Sequence, residues 1–289
     1  MKKLPIWLLK FIAMFTKLCP KFVLDFRNYV GVRNHINWRQ PKNLQEYALT
    51  ILFNKSTDLD LYARLADKIE VRKFVEDRIG QQYLTILYGT WTNAKEIDFG
   101  TLPNRFVLKT NNGCGTNFII KDKSKIDINR VVNELNYWLK YPYGALTGQI
   151  HYSRINPKIL AEEYLEQSIE KDSLPYDYKF FCYKGVPRYV LYYEGRSLNG
   201  HITPNMLFDM EWNEISEAVN RPINHKVNPP ISFEEMKQCV KQLCSGFDFV
   251  RVDFYEINGR PVFGEMTFTP DIIVNIRSDF NPLMQIFKE

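Results

Sequence analysis

The sequence has no long hydrophobic run. Its most apolar stretch near the start, Ile6-Trp7-Leu8-Leu9 and Phe11 to Phe15, is broken by Lys10, and no small-residue cleavage pattern follows. It is too short to span a bilayer and does not match a signal peptide. Cysteine is sparse. The five, Cys19, Cys114, Cys182, Cys239 and Cys244, include no CxxC pair, which argues against a disulfide framework or a zinc site and for reduced thiols in a cytosolic protein. Charge of one sign is not dominant: 38 basic against 33 acidic residues leave +5, short of a nucleic-acid-binding signature. The four histidines, His35, His151, His201 and His225, show no metal spacing, and His151 beside Tyr152 is the exception worth watching. Internal repeats, low-complexity tracts, a Ser-His-Asp arrangement and a Gly-Lys-Ser/Thr phosphate loop opening a helix are all missing. Asp58-Leu59-Asp60 has the DxD spacing of sugar transferases but stands at a helix start, where acids cap.

What is present is a chain of 289 residues, 45% hydrophobic, enough for one large or two modest domains. The mild basic balance suits an anionic substrate such as a nucleotide or an acidic glycan. Residues 22 to 79 read as largely helical. Pro41 starts one helix, Asp58 caps another, and the pattern Asp67 to Val75 continues helical to Gly80. Strands are expected at Tyr83 to Leu87, Arg105 to Thr110, Phe118 to Lys121 and Ile159 to Leu165. Between the second and third lies Asn111-Asn112-Gly113-Cys114-Gly115-Thr116-Asn117, a glycine-bearing loop whose N–H groups can converge on phosphate. Asp127 to Lys140 is an amphipathic helix. A hairpin turns at Lys184-Gly185, and Ser232 to Glu235 reads as a capping box. The aromatic group Tyr189, Tyr192 and Tyr193 reads as sheet packing, with a sugar platform as the other reading. The order of elements makes the chain α+β.

The stretch Phe249 to Pro270 is a hairpin turning near Asn258-Gly259. A three-residue loop, Asn258-Gly259-Arg260, pairs Asp253 with Glu265, Arg251 with Thr267, Val252 with Met266 and Phe254 with Gly264. Only that register sorts polar from apolar side chains. Opposed carboxylates repel unless a positive charge stands between them. Mg²⁺ with a polyphosphate satisfies this; lysines on an exposed face do so equally.

Taken in order, LADKIEVRKFVEDRIG, LPNRFVLKTNNGCG, INPKILAEEYLE, DYKFFCYKG and FDFVRVDFYEINGRPVFGEMTFTP resemble the ATP-grasp carboxylate–amine ligases, in particular the TupA-like branch found with capsular polysaccharide and teichuronopeptide synthesis. The resemblance runs from about Pro41 to Pro270. It implies an ATP-grasp fold of two α+β lobes clamping a nucleotide. Residues 1–80 would be a helical region, 81–163 a small lobe with the glycine-rich flap, and 164–289 a large lobe with a metal-binding hairpin. It implies ATP and Mg²⁺ as cofactors. Lys68 and Lys109 would meet phosphates under the loop Asn112, Gly113, Cys114 and Gly115, and Glu162, Glu163, Tyr164 and Leu165 would form the adenine hinge. Asp177 would hold ribose, with Lys179 facing phosphate or substrate, Asp253, Glu265 and Thr267 the metal, and Arg251 the acyl-phosphate. The sequence departs from the family pattern at Asn112, Cys114, Thr267 and Asp271. The implied partners are an acidic sugar or polysaccharide precursor and an amine, with no nucleic acid. The implied location is cytoplasmic, with residues 1–21, flanked by Lys2, Lys3, Lys10, Lys17 and Lys21, a candidate for contact with an anionic membrane surface. The competing readings are a nucleotide-sugar glycosyltransferase of the same pathway and a catalytically silent scaffold.

Overall fold

The computed structural model describes residues 4–166, 174–194, 205–219 and 222–270, with the side chain positions of Val32 and Ser216 excepted. Lys2, Lys3, His201, Asp271 and most of the polar loop after Glu166 lie outside them. The architecture is α+β, as the element order implies. The chain forms two compact units: residues 1–36, 58–72 and 85–164, and residues 37–57, 73–84 and 165–289.

The first unit is built on four strands in the order β1-β4-β2-β3, all antiparallel: β1 Leu87–Trp91, β2 Phe106–Thr110, β3 Asn117–Ile120 and β4 Ile159–Glu163. Strand alternation sends Phe106, Leu108, Ile159 and Ala161 to one face, where Val131 and Leu135 of an amphipathic helix cover them. That helix, Ile128–Lys140, is capped by Asp127, whose carboxylate accepts from Arg130 N–H. Lys109 and Glu162 stand on the opposite face. Two N-terminal helices, α1 Ile6–Leu18 and α2 Pro20–Val32, belong to this unit, with α1 lying on the short helix Tyr143–Thr147.

The second unit carries five antiparallel strands in the order β7-β6-β5-β8-β9: β5 Asp177–Tyr183, β6 Val186–Tyr193, β7 Asn205–Asp209, β8 Phe249–Ile257 and β9 Arg260–Thr267. The helix Phe233–Cys244 covers one face, where Phe233 stacks on Phe180. On the other face Leu44 and Ala48 of the helix Leu44–Leu52 pack with Phe181, Leu191, Leu207 and Phe249.

Local corrections have identifiable causes. Asn43, not Pro41, starts the helix Leu44–Leu52, its side chain accepting from Glu46 N–H. The expected helix through Asp67 breaks there. The helix Leu59–Ala66 ends, Asp67 Oδ1 accepts from the N–H groups of Ile69 and Glu70, and a new helix runs Val71–Arg78. A short polar side chain that offers the backbone another bond is a helix end as readily as a helix residue. Lys68 therefore sits in a turn. The strand expected at Tyr83 begins only at Leu87, because Gln81–Tyr83 is a turn of 3-10 helix. Ser232 precedes its helix without capping it. Its hydroxyl donates to Glu256 at 2.6 Å, and Glu235 accepts from the Tyr83 hydroxyl.

Candidate functional site

The hairpin places Asp253 opposite Glu265 and Arg251 opposite Thr267, as the polar pattern demands. It reaches that register by another route. Ile257 pairs with Arg260, so the loop has two residues, Asn258 and Gly259, both at positive φ (53° and 73°). That is the favoured twist for a tight hairpin. It pairs Phe254 with Phe263 rather than with Gly264, and alone would put the two carboxylates on opposite faces. A bulge between Asp253 and Phe254 on one strand and at Gly264 on the other shifts the register by one residue. A side chain at Gly264 would stand 3.1 Å from the Asp253 carbonyl oxygen, so the bulge is shaped for glycine.

Three neighbouring strands then bring one polar group together. Lys179 on β5 lies opposite Asp253 on β8, which lies opposite Glu265 on β9. Arg251 donates through Nε to Asp253 Oδ1 at 2.7 Å and through Nη2 to Asp253 Oδ2 at 2.7 Å. The same Nη2 donates to Glu265 Oε1 at 2.6 Å and to Thr267 Oγ1 at 3.1 Å. Thr267 Oγ1 donates to Glu265 Oε1 at 2.8 Å. Lys179 Nζ reaches Asp253 Oδ2 at 2.6 Å and Asp177 Oδ2 at 2.7 Å. The positive charge between the opposed acids is thus a guanidinium.

Burial decides how these groups behave. Burial works to lower Arg251, but Asp253 and Glu265 outweigh it and hold the guanidinium firmly charged. Burial pushes the Asp253 carboxyl up, against the pull of Arg251 and Lys179. Glu265 is the most open member of the set, with 38% of its side chain exposed. Asp253, Glu265 and Thr267 carry hard oxygen donors of the kind Mg²⁺ takes, and in this structure both Asp253 oxygens, Glu265 Oε1 and Thr267 Oγ1 are held by Arg251 and Lys179. No cluster of three acidic, histidine or cysteine side chains suited to a metal occurs among the described residues.

The first unit holds a second set. Lys109 Nζ is ion-paired with Glu162 Oε1 across β2 and β4. Lys68 Nζ donates to the Gly113 carbonyl at 2.7 Å, so the two lysines named from the sequence both stand by the glycine loop's sheet. Thr110 and Thr116 hydroxyls close the base of the loop at 2.6 Å, and Gly115 bends it at φ 71°. Cys114 is exposed at the tip and Asn112 is buried. The Glu163 N–H donates to the Ile86 carbonyl at 2.9 Å, and the Tyr164 ring lies 4.4 Å from the Arg105 guanidinium. Leu165 follows half-exposed.

Sequence reasoning missed Asn111 as an organiser. It is fully buried, and its Nδ2 donates to Asp67 Oδ2 at 2.7 Å and to the Asn156 carbonyl at 3.0 Å. Its Oδ1 accepts from Lys158 N–H at 2.7 Å. One amide therefore ties the Lys68 turn to the loop and to the start of β4. Burial raises the Asp67 carboxyl, against hydrogen bonds from Ile69, Glu70 and Asn111. An asparagine next to a glycine loop signals a turn, and only the contacts reveal this one as a hub.

The chain belongs to the TupA-like ATPgrasp family, whose model matches residues 47–282. No curated protein matches it. Among solved structures it is similar to D-alanine–D-alanine ligase from Bacillus anthracis complexed with ATP, at 13% identity and TM-score 0.43, over 72% of this chain and 56% of that one. It is also similar to an L-amino acid ligase from Bacillus licheniformis, at 9% identity and TM-score 0.47, over 90% and 55%. A third is N5-carboxyaminoimidazole synthase from Aspergillus clavatus in complex with ADP and its ribonucleotide, at 11% and 0.40, over 71% and 44%. The chain spans about half the length of each of these three.

Proposed function

We propose that this chain is an ATP- and Mg²⁺-dependent carboxylate–amine ligase. Its acceptor is a uronic-acid carboxylate on a surface polysaccharide or its precursor, and its donor an amine such as an amino acid. It works in the cytoplasm, with residues 1–21 in contact with the inner face of the cell membrane. The observation that carries the chemistry is Arg251, fixed between Asp253 and Glu265 beside Lys179. Membership of the ATP-grasp family supports the cofactor.

A carboxylate is a poor electrophile. In this reading its oxygen attacks the γ-phosphorus of ATP, ADP leaves, and the acyl-phosphate is opened by the amine, which loses a proton as phosphate departs. Lys68, Lys109 and the N–H groups of the Asn112–Gly115 loop balance the charge of the phosphates. Asp253, Glu265 and Thr267 would hold Mg²⁺, which neutralises the triphosphate and aligns the group to be transferred. Arg251 stays cationic at any working pH and steadies the oxyanion formed when the amine adds. Asp177 and Lys179 orient ribose and substrate, and Glu162 to Leu165 line the base. A closed loop keeps water from the acyl-phosphate.

The test is ADP release that requires both a uronic acid and an amine. Asp253→Asn should cut it by about 10²–10³-fold, the usual scale for removing one positioned electrostatic group, measured well below a melting midpoint that is itself lowered, since a buried partner of Arg251 and Lys179 is neutralised. UDP or GDP release without ATP use would replace this reading with a glycosyltransferase. Undiminished polysaccharide modification in cells carrying Asp253→Asn and Glu265→Gln together would replace it with a silent scaffold.

A further inference from the structure

α1 is apolar around most of its circumference, interrupted by Lys10 and Lys17 on one line. Leu9, Ala13 and Thr16, spaced i, i+4 and i+7, form its buried stripe. Trp7, Phe11, Met14 and Leu18 repeat the same spacing, and Leu18 lies two and a half turns beyond Leu9, about half a turn round the axis. That second stripe faces solvent: Trp7 is 72% and Leu18 74% exposed, with Phe11, Met14 and Phe15 each above half. α2 repeats the arrangement. Leu24 is buried over Gly148, where a methyl group would stand 2.4 Å from it. Phe22, 71% exposed, and Phe26, Tyr29 and Val30 project from the other side. Phe11 packs on Phe15 and Phe22 stacks on Phe26, so the exposed rings pair within each helix.

Exposed apolar faces of this extent mark an interaction surface. The charge around it selects the partner. Lys10, Lys17, Lys21 and Arg33 alternate with the aromatic residues along the chain, Arg27 donates to the Leu146 carbonyl at 3.0 Å, and Asp25 is the single acid in residues 1–36. That acid is engaged, accepting from His35 Nδ1 and from Ile36 N–H, both at 2.7 Å. A second copy of the chain would bring the same lysines against these, whereas an anionic bilayer complements them. No helix among the described residues is long and apolar enough to cross a membrane. Tryptophan and phenylalanine with flanking lysines are the composition of a helix lying in the interface.

We propose that α1 and α2 together are a docking surface for an anionic lipid bilayer, their aromatic faces seated in the headgroup layer and their lysines on lipid phosphates. This rests on the membrane side of the proposed function and goes beyond it by extending the contact through α2. It stands apart from the ligation chemistry, since vesicle binding is read without ATP and ADP release without vesicles.

The full chain is floated with vesicles of phosphatidylcholine alone or mixed with phosphatidylglycerol, at low and high salt. Binding is expected with the mixed vesicles only, weakened by salt. Phe11→Ser with Phe22→Ser should abolish it. Lys10→Glu with Lys17→Glu should reduce it by roughly tenfold or more, given about 1 kcal/mol per basic side chain near an anionic surface. All four residues are exposed, so melting temperature should hold. The Trp7→Phe difference spectrum gives a second measure, since Trp7 emission should shift to the blue on adding mixed vesicles. No flotation and no spectral shift would overturn the proposal. So would undiminished binding by the lysine variant, or a lipid-free dimer that the double phenylalanine variant turns into monomer.

Discussion

Lys179 holds two carboxylates that have almost no access to water. Asp177 is fully buried and Asp253 is 2% exposed, and Lys179 Nζ reaches both. Removing one partner of a buried pair costs more than the pair contributes, because the remaining charge is left without compensation. Lys179→Met should therefore destabilise the fold by about 3–5 kcal/mol, read as a lower urea midpoint at unchanged slope. His151 makes a different case. It is completely buried, and burial pushes its imidazole down to about 3. The folded state keeps it neutral while the unfolded chain protonates it near the ordinary value. Between those two values the unfolded state binds the extra proton, so stability is complete above about pH 6.5 and falls with acid. The slope is about 1.4 kcal/mol per pH unit from this one group. Replacing His151 by phenylalanine should flatten the decline of urea stability between about pH 6 and pH 4, whatever it does to stability at neutral pH.

At the scale of elements, the hairpin shows how a correct pairing can follow from the wrong loop. Alternation of polar and apolar side chains required Asp253 opposite Glu265, and burial enforces that requirement. The turn was not fixed by the same pattern. Asn258-Gly259 prefers a two-residue loop, and Gly264 absorbs the mismatch as a bulge, which a glycine in a strand signals only weakly. The break at Asp67 was hidden for a related reason. Leu61, Leu65 and Ile69 keep helical spacing across it, while the Asp67 side chain diverts the backbone. Amphipathic helices and buried strands were legible because periodicity reports burial directly. The Arg251 bridge and the Asn111 hub were not, because they depend on contacts between strands distant in sequence. The bulge makes its own prediction. Gly264→Val should crowd the Asp253 carbonyl and the Tyr255 ring, 3.1 and 3.2 Å from the new Cβ. Overpacking of this kind costs about 1–3 kcal/mol. The substitution should lower ADP release more than it lowers the melting temperature, because Glu265 is the next residue and moves with it.

For the whole molecule, the helical first quarter of the chain is not a free-standing region. Residues 1–36 and 58–72 join the four-stranded unit, and residues 37–57 and 73–84 join the five-stranded one. Each unit has its own core. The second unit carries three carboxylates against two cations, and the first carries Lys68 and Lys109 at its glycine loop. In the proposed function ATP is held at Asp253 and Glu265 through Mg²⁺. A ligand that binds only the folded state stabilises it by about 2.7 kcal/mol at one hundred times its dissociation constant. For folded units of this size that is a rise of several degrees in melting temperature. ATP with Mg²⁺ should therefore raise the midpoint clearly, and ATP with EDTA much less. In Asp253→Asn with Glu265→Gln the difference between the two conditions should vanish while a smaller ATP effect, carried by the lysines, persists. A thermal-shift series over these conditions reads all of it. A midpoint that ATP moves equally with and without Mg²⁺ in the unaltered protein would remove the carboxylate pair from nucleotide binding.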